Sequence, residues 1–593
     1  MKSFSKKNAV FSLIVTVIIL IRVWMISGIP KQYLLAGHDD LYFAKMAHYL
    51  IHGQWMGPYS QMTLIKGPFY GFFLVMSSLT GLPLFLNETF FYIFACVVMF
   101  FAISPLIKNR WWRLLLFGLL LFVPASLTTG FNLRVYREFV YFSLSLFVVA
   151  FSIGLFLRID RKIKQQLIWV IGLGLSMGAF LITREEGIWI YPSIFSLLGV
   201  CIVFIWVKKM DKRWLRTAIV SSAVLLWFLP TLIVSYLNYT HYEFWGVTEQ
   251  LDKNYTRVID ALGRIKTSNW YPYSPINPET IEKAAKVSPH LAELKDSIDL
   301  GTANYQLHVD SYMVYQSAWF YDEYYKPGEA VGMHFTWMFR DVLASHGYYA
   351  SGKFPREELN SLANELETAC DTGTLDCWAP TNIPVVTSLR SEHIPIIIRF
   401  YGEDLLGLLN LSTDVTGIPS LDVSQWSVYQ KDFQYFDEFT YNPVSENLMG
   451  NQGESVLSDG HMDLRIKTLD VKETIIKFIL KVYTFITLPI VIILGFGWFG
   501  ILIFSLIKKK KVESINYQEI AVIAFVLSLL LLRTLILSIL SATSTIVGRY
   551  YGASNFIYLY LFIYFVAFSL GKQIIKILIS LKPQVFIKRF VKN

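Results

Sequence analysis

The amino-acid sequence predicts a polytopic, all-α membrane protein with about ten transmembrane helices and one large polar domain. Hydrophobic residues make up 54% of the 593 residues, whereas charged residues make up only 16%, well below the roughly 25% of soluble domains. The basic residues form short clusters between long apolar stretches, as in the cytoplasmic loops of membrane proteins. This distribution accounts for the net charge of +9 without a nucleic-acid partner, and we expect none.

The transmembrane spans follow from assigning every Lys and Arg cluster to the cytoplasm. Both chain ends then lie inside, and the apolar start, which resembles a signal peptide without a small-residue cleavage site, is a retained first helix. The predicted spans are 8–29, 87–106, 114–128, 139–157, 166–183, 188–207, 215–238, 480–507, 517–540 and 553–571. Because a crossing at 69–84 would invert every later loop, this apolar segment is predicted to be a juxtamembrane helix in the outer interface.

The spans and loops divide the chain into three regions. Residues 1–238 form a membrane module of seven spans, and its first outer loop, 30–86, is expected to carry the catalytic residues. Residues 239–475 form a polar extracytoplasmic domain, α or α+β, and residues 476–593 contain three spans and a basic cytoplasmic tail. Cys370 and Cys377 lie in the polar domain, where an oxidising compartment would favour a local disulfide, and the sequence leaves this pairing open.

An adjacent pair of carboxylates, Asp39 and Asp40, follows the first span in the stretch HDDLYFAKMAHYL. In one interpretation the pair only caps the helix that begins there. In the other, the pair coordinates a divalent cation or takes the proton of an acceptor hydroxyl, because proximity raises the pKa of one carboxylate. His48 and His52 share a helix face and are candidate ligands, with the aspartates, for Mg²⁺, Mn²⁺, Ca²⁺ or Zn²⁺, although such histidines are more often interfacial polar residues.

Basic side chains gather on the same predicted outer face as the acidic pair. Arg binds phosphate through a planar fork of donors, and an Arg inside an apolar span is a functional candidate by default. The candidate donor-phosphate ligands are Lys66 in LIKGP, Arg134 and Arg137 in NLRVYRE, Arg184 in TREEG, Arg533 in LLLLRTLILS and Arg549 in GRYYG. Two alternatives stay open, namely snorkelling towards lipid headgroups and ion pairing with neighbouring acids. Those acids, Glu138, Glu185 and Glu186, are the second candidates for an acid role.

An outer-face pocket with carboxylates on one side and arginines on the other suits a lipid-linked phosphate. The arginines would hold a phosphate leaving group, and the acids would activate an incoming hydroxyl group. The sequence contains no P-loop and no strand-linked GxGxxG motif, and nucleotide sugars are cytoplasmic. A transferase on the outer face of the lipid bilayer would therefore need a polyprenyl-phosphate sugar as its donor.

The order of these motifs resembles that of the GT-C superfamily of integral-membrane glycosyltransferases. The likeness is greatest to the branch that contains the lipid A aminoarabinose transferases and the protein O-mannosyltransferases. In that branch an acidic motif follows the first span, and "GDW…P" and "EKPP" come next. Asp39-Asp40, Gly53-Gln54-Trp55 with Pro58, and Lys66-Gly67-Pro68 stand in the same order here at similar spacing.

Two later elements extend the resemblance. The family's "FLTKGP…LP" is similar to Phe180 to Arg184 through Pro192, with Arg184 in place of a phosphate-binding Lys, and the late "RY" is similar to Arg549-Tyr550. The family core has seven spans, and seven predicted spans precede the large loop here. In one departure, Ile65 stands where the family has a Glu, and residues 240–475 match nothing in the family.

The resemblance implies an inverting glycosyltransferase of the bacterial plasma (inner) membrane that uses a polyprenyl-phosphate sugar on the extracytoplasmic side. Asp39 or Asp40 would be the base or a metal ligand, and the acceptor would be a glycan, a lipid or a protein of the cell envelope. An oligosaccharyltransferase or glycan polymerase of the same fold stays open as an alternative. A transporter for a lipid-linked sugar is disfavoured, because the spans split seven and three rather than into repeat-related halves.

Overall fold

The computed structural model is helical throughout the parts of the chain that it describes. These parts are residues 6–29, 31, 39–127, 132–272, 274–313, 332–380, 389–410, 459–507, 516–543 and 555–581. Two isolated β-bridges join residues of these ranges, Ile265 with Cys377 and Tyr271 with Ser274. Nine helices of the described chain are long and apolar enough to cross a membrane, which confirms the prediction of a multi-pass helical membrane protein.

The helices fall into three groups along the chain. Up to residue 242 they are α1 Lys6–Ile26, α2 Asp40–Ile51, α3 Phe69–Ser78, α4 Leu84–Ala102, α5 Arg110–Leu121, α6 Pro124–Leu127, α7 Glu138–Phe156, α8 Ile163–Leu181, α9 Tyr191–Val207 and α10 Arg213–Tyr242. The polar region contains α11 Lys253–Arg264, α12 Pro278–Ala285, α13 Pro289–Met313, α14 Gly332–Ser345, α15 Arg356–Asp371 and α16 His393–Asn410. The last group is α17 Asp459–Ile507, α18 Tyr517–Thr543 and α19 Asn555–Leu581. Short 3₁₀ helices occupy Glu185–Ile190 and Glu249–Leu251.

One predicted span, 114–128, differs from the structure, whereas the other nine coincide with membrane-length helices. Here α5 contains 12 residues and ends at Leu121, and α6 begins at Pro124. Proline suits the start of a helix because its missing N–H would find no partner there. At 1.5 Å per residue α5 is about 18 Å long, shorter than the roughly 30 Å hydrocarbon core. Helix α3, with 10 residues, is also too short to cross, in agreement with the juxtamembrane prediction for 69–84.

Helix α7 lies at the centre of the membrane-spanning part. It is apolar on every side, and 94% of the residues in its most apolar 18-residue stretch are buried, as expected of a helix surrounded by other helices. It packs against α4 and α8, and α8 in turn crosses α10 closely. At that crossing a Cβ on Gly178 would lie 2.5 Å from the Pro230 ring, so only glycine allows the approach. Since α7 begins at Glu138, its first turn brings Arg137 and Glu138 to one end of the bundle.

The polar region is a bundle of short helices with strong local start signals. Asp252 caps α11 by accepting hydrogen bonds from two backbone N–H groups, and Asn277 with Thr280 forms a capping box at α12. A disulfide joins Cys370, in the last turn of α15, to Cys377, a pairing that the sequence left open. The bundle contacts the first loop of the membrane module, where Arg340 of α14 donates to the Gln61 carbonyl.

Candidate active site

The acidic pair lies at the start of α2. Asp39 occupies the position before the helix, but its side chain makes no capping hydrogen bond, so helix capping does not describe its role. The side chain of Asp40 is fully buried, whereas that of Asp39 is 33% exposed. One carboxylate of the pair therefore faces solvent, and the other faces the protein.

Two basic side chains hold the pair from other parts of the chain. Lys66 forms an ion pair with Asp39 through its Nζ. Arg134 donates from Nε to the two carboxylate oxygens of Asp40 at 3.2 and 3.1 Å, and its Nη2 lies 3.4 Å from Asp39 Oδ2. The ring of Tyr136 lies 5.5 Å from the Lys66 ammonium and 5.1 Å from the Arg134 guanidinium. The structure thus brings together four residues that the sequence predicted to share a site.

The two aspartates have opposite pKa shifts. Burial raises the pKa of Asp40 to about 6, and the charge of Arg134 only partly opposes this effect. Burial also disfavours the charged form of Asp39, but Lys66 and Arg134 outweigh it and lower the pKa of Asp39 to about 2. At neutral pH Asp39 is therefore firmly ionised, while Asp40 lies close to its titration range.

The LIKGP segment is anchored to the turn that follows α8. Phe69 N–H donates to the Ile182 carbonyl at 3.4 Å, and Gly67 N–H donates to Glu185 Oε1 at 3.3 Å. A Cβ on Gly67 would lie 2.6 Å from the carbonyl carbon of Ile182 and closer still to its oxygen. A larger residue would therefore push the segment away from this turn and displace Lys66, its neighbour.

Two further arginines, Arg137 and Arg184, form ion pairs with glutamates. Arg137 grips Glu185 through two parallel contacts, at 3.0 and 2.9 Å. Arg184 pairs with Glu138, and its Nε lies 2.8 Å from Glu186 Oε1. All three secondary acid candidates of the sequence are thus partners of arginines, as the ion-pair alternative expects.

Arg533 differs from the other cations of the site. Its side chain is fully buried in α18, and Nη1 lies 3.8 Å from Glu186 Oε1. The rings of Tyr141 and Trp189 lie 5.4 and 5.5 Å from its guanidinium. Within the described part of the chain, none of its three side-chain nitrogens has a hydrogen-bond partner. Buried donors without acceptors are costly, which makes these nitrogens candidates to bind an anion. The predicted Arg549 lies outside the described residues.

Sequence reasoning missed a buried pair that supports the site. Lys31 forms an ion pair with Glu88, and both side chains are almost completely buried. Lys31 Nζ also donates to the backbone carbonyls of Asn132 at 2.6 Å and Arg134 at 3.1 Å. The hydroxyl of Tyr70 donates to Glu88 at 3.1 Å. This pair fixes the backbone that presents Arg134, and the acid near the start of an apolar span was the signal that could have revealed it.

The described residues do not fit a metal site around the aspartates. The rings of His48 and His52 are in contact, with centroids 4.3 Å apart, but His48 is about 12 Å further along α2 than Asp40. In the described ranges no group of three or more His, Cys, Asp or Glu side chains is placed to hold a metal ion. Lys66 and Arg134 neutralise the aspartates and would repel a divalent cation. The predicted metal role of Asp39, Asp40, His48 and His52 therefore has no support in the geometry.

A second buried pair, also missed, joins the polar region to the first outer loop. Arg340 in α14 lies 2.6 Å from Glu249 Oε2, and both side chains are 1% exposed. Arg340 Nε donates to the Gln61 carbonyl at 3.0 Å, and Glu249 N–H donates to the Leu64 carbonyl at 2.9 Å. Tyr59 from the same loop donates to Glu249. The Glu249–Arg340 pair thus clamps the backbone that leads directly into Lys66.

Comparisons with known proteins give limited similarity. No family model matches the chain, and no curated protein matches it. The crystal structure of ArnT from Cupriavidus metallidurans in the apo state is 14% identical over 74% of this chain and 78% of that chain, with a TM-score of 0.30. The structure of ArnT from Cupriavidus metallidurans bound to undecaprenyl phosphate is 15% identical over 75% of this chain and 78% of that chain, with a TM-score of 0.29. Similarity at this level does not assign a function to this chain.

Proposed function

We propose that this chain is a membrane glycosyltransferase that moves a sugar from a polyprenyl-phosphate donor to an acceptor hydroxyl at the outer face. One observation carries this proposal: Asp39, Lys66 and Arg134 converge from three separate segments at one end of the bundle. An accessible carboxylate beside two cations meets both needs of transfer from a phosphate ester. The carboxylate accepts the proton of the incoming hydroxyl, and the cations stabilise the departing phosphate. The GT-C-like order of the surrounding motifs supports the same reaction.

Asp39 is the proposed general base, because a base must reach the proton that it removes. Asp40 is fully buried and holds Arg134 through two carboxylate contacts, so its proposed role is to orient that cation. The low pKa of Asp39 depends on Lys66 and Arg134. A donor phosphate that attracts these two cations would weaken their hold on Asp39 and make it a stronger base.

The proposed reaction is a single displacement at the anomeric carbon of the donor sugar. The acceptor oxygen forms a bond to this carbon while the bond from the carbon to the phosphate oxygen breaks. The electron pair of that bond leaves with the phosphate, and the hydroxyl proton passes to Asp39. Lys66 and Arg134 neutralise the charge that develops on the phosphate, with Arg533 as a further donor in the same network. Attack from the face opposite the phosphate inverts the configuration of the sugar.

Two features support an extracytoplasmic site. In the topology predicted from the sequence, the Lys and Arg clusters lie at the other end of the membrane spans from the acidic pair. Such clusters are typical of cytoplasmic loops. The Cys370–Cys377 disulfide belongs to the region that clamps the first loop through Arg340, and disulfides persist mainly outside the cytoplasm. Together they favour a site at the outer leaflet, where a polyprenyl-phosphate sugar would be reached from the bilayer.

The test uses purified protein in proteoliposomes with a panel of radiolabelled polyprenyl-phosphate sugars and envelope acceptors. Asp39→Asn is expected to lower the rate of transfer by about 10²- to 10⁴-fold, the usual contribution of a general base. Asp376→Asn is the matched control, because Asp376 is 76% exposed in the polar region and contacts only Lys266 among the ion pairs of the described chain. A chelator is expected to leave the rate unchanged. Full activity of Asp39→Asn would refute its role, and unchanged donor with every acceptor would refute the transferase.

A further inference from the structure

Helix α16 exposes an unusually apolar surface for a helix of the polar region. Ile394, Ile398 and Leu406 are 54%, 66% and 60% exposed. With 3.6 residues per turn, these three side chains fall within an arc of about 120° around the helix. The other residues within the same arc are also apolar, namely Pro395, Gly402, Leu405 and Leu409. A continuous apolar patch of this kind indicates a surface that is covered by something other than water.

A polar edge borders the apolar arc. Arg399 and Glu403 form an ion pair at 3.4 Å, and their side chains are 43% and 41% exposed. They occupy the next part of the helix circumference, immediately beyond Leu406. An apolar arc with a charged edge is the pattern of a helix that lies in the membrane interface, with its charges at the level of the lipid headgroups.

The opposite face of α16 is seated on the membrane spans. Ile396, Phe400 and Leu408 are buried where α16 packs against α18 and α17. Asp404 accepts a hydrogen bond from Ser538 Oγ at 3.2 Å. Ser538 stands five residues before the last residue of α18, Thr543, and so lies about 7.5 Å below that end of the helix.

We infer that α16 is an interfacial helix and that its apolar arc is covered by the lipid of the outer leaflet. The neighbouring helix α17 also exposes large apolar side chains, as a lipid-facing span does, with Phe478 and Phe485 66% and 82% exposed. The helix thereby anchors the polar region to the bilayer beside α18, the helix that carries Arg533. This inference requires only that the spans lie in a membrane, and it holds whether or not the chain is a glycosyltransferase.

Spin labels at single introduced cysteines test the depth of α16 in proteoliposomes of the full chain. The native Cys96 and Cys201 are buried and Cys370 is disulfide-bonded, so an added cysteine can be labelled selectively without reductant. The collision rate of each label is measured with oxygen, which concentrates in the bilayer, and with a water-soluble nickel chelate. The test variants are I398C and I394C. The control is L300C on α13, because Leu300 is equally exposed, at 65%, on a helix that packs within the polar region.

The labels on α16 are expected to collide several-fold more often with oxygen than with the nickel chelate, whereas the label of L300C shows the reverse. Equal behaviour of I398C and L300C would place α16 in water and overturn the inference. Low accessibility to both reagents would show that protein, either a second copy or a partner, covers the arc, and this result would overturn it as well. Should I398C not yield folded protein, I394C alone decides between these outcomes.

Discussion

Removal of the Arg340 side chain is expected to have a large and pH-dependent effect on stability. Arg340→Met deprives the Glu249 side chain, which is 1% exposed, of the cation that lies 2.6 Å from its Oε2. Leaving one partner of a buried ion pair unpaired costs about 3–5 kcal/mol of folding free energy. Tyr59 and Tyr349 still donate hydrogen bonds to Glu249, so a value near the lower end, about 3 kcal/mol, is expected. Pulse proteolysis of the polar region in a urea series measures this loss.

The pH dependence follows from the carboxyl group that remains. Burial raises the pKa of Glu249 above its ordinary value of 4.5, even though Arg340 opposes the shift. Without Arg340 the pKa rises further, so the folded state binds a proton that the unfolded state has released. Such a group favours the folded state below its unfolded pKa, and this contribution is lost as the pH rises through the folded pKa. The deficit of Arg340→Met is therefore largest at pH 8 and becomes smaller towards pH 5.

Two further variants make the reasoning refutable. Arg257→Met removes a cation of the same region whose ion pair with Glu367 is partly exposed, with side chains 23% and 30% accessible. It is expected to cost about 1 kcal/mol without the same pH dependence. The double variant Arg340→Met/Glu249→Gln should recover part of the loss, because no buried charge remains. Equal small losses for Arg340→Met and Arg257→Met at both pH values would show that the buried pair does not clamp the loop.

Three other changes test the site and its surroundings. Gly67→Ala is expected to raise the KM for the lipid donor at least tenfold and to speed amine labelling of Lys66, since the new Cβ displaces this segment. Transfer is expected to fall as the pH drops below about 6, because protonated Asp40 releases its arginine, and Asp40→Asn should lack this limb of the pH–rate profile. Replacing the Cys370–Cys377 pair by serines is expected to lower the stability of the polar region by about 2.5 kcal/mol while preserving transfer at low temperature.

The membrane spans and the members of the site could be predicted because their signals are local. A run of apolar residues between basic clusters identifies a span without knowledge of its neighbours. Asp39, Asp40, Lys66 and Arg134 stood out because charged groups at the ends of apolar spans are costly to keep without a role. The break between α5 and α6 was less predictable, since the apolar composition continues through Pro124 and only the backbone records the interruption.

The partners of the charged groups could not be predicted, because they are brought together only by the fold. Glu249 and Arg340 lie 91 positions apart in a region with no recognisable motif, and neither forms part of a local pattern. Lys31 reaches the backbone of Arg134 from about one hundred residues away. The sequence predicted several Lys and Arg side chains as ligands for a phosphate, whereas the structure shows that most of them form ion pairs with carboxylates. Residue types were therefore sufficient to predict which residues belong to the candidate site. The ion pairs between them could be seen only in the structure.

The pairing of acidic with basic side chains gives a reason for so many opposite charges in the candidate site. Among the residues that the structure describes, the network contains equal numbers of acids and bases, which are Asp39, Asp40, Glu138, Glu185 and Glu186 with Lys66, Arg134, Arg137, Arg184 and Arg533. A sugar linked to a lipid phosphate carries one negative charge, and the phosphate released from it approaches two. In the proposed reaction Asp39 becomes neutral by taking the acceptor proton as this second charge appears. Lys66 can then pass from the carboxylate to the phosphate while the total charge of the network and the phosphate together stays constant, so the low-dielectric surroundings oppose the reaction least.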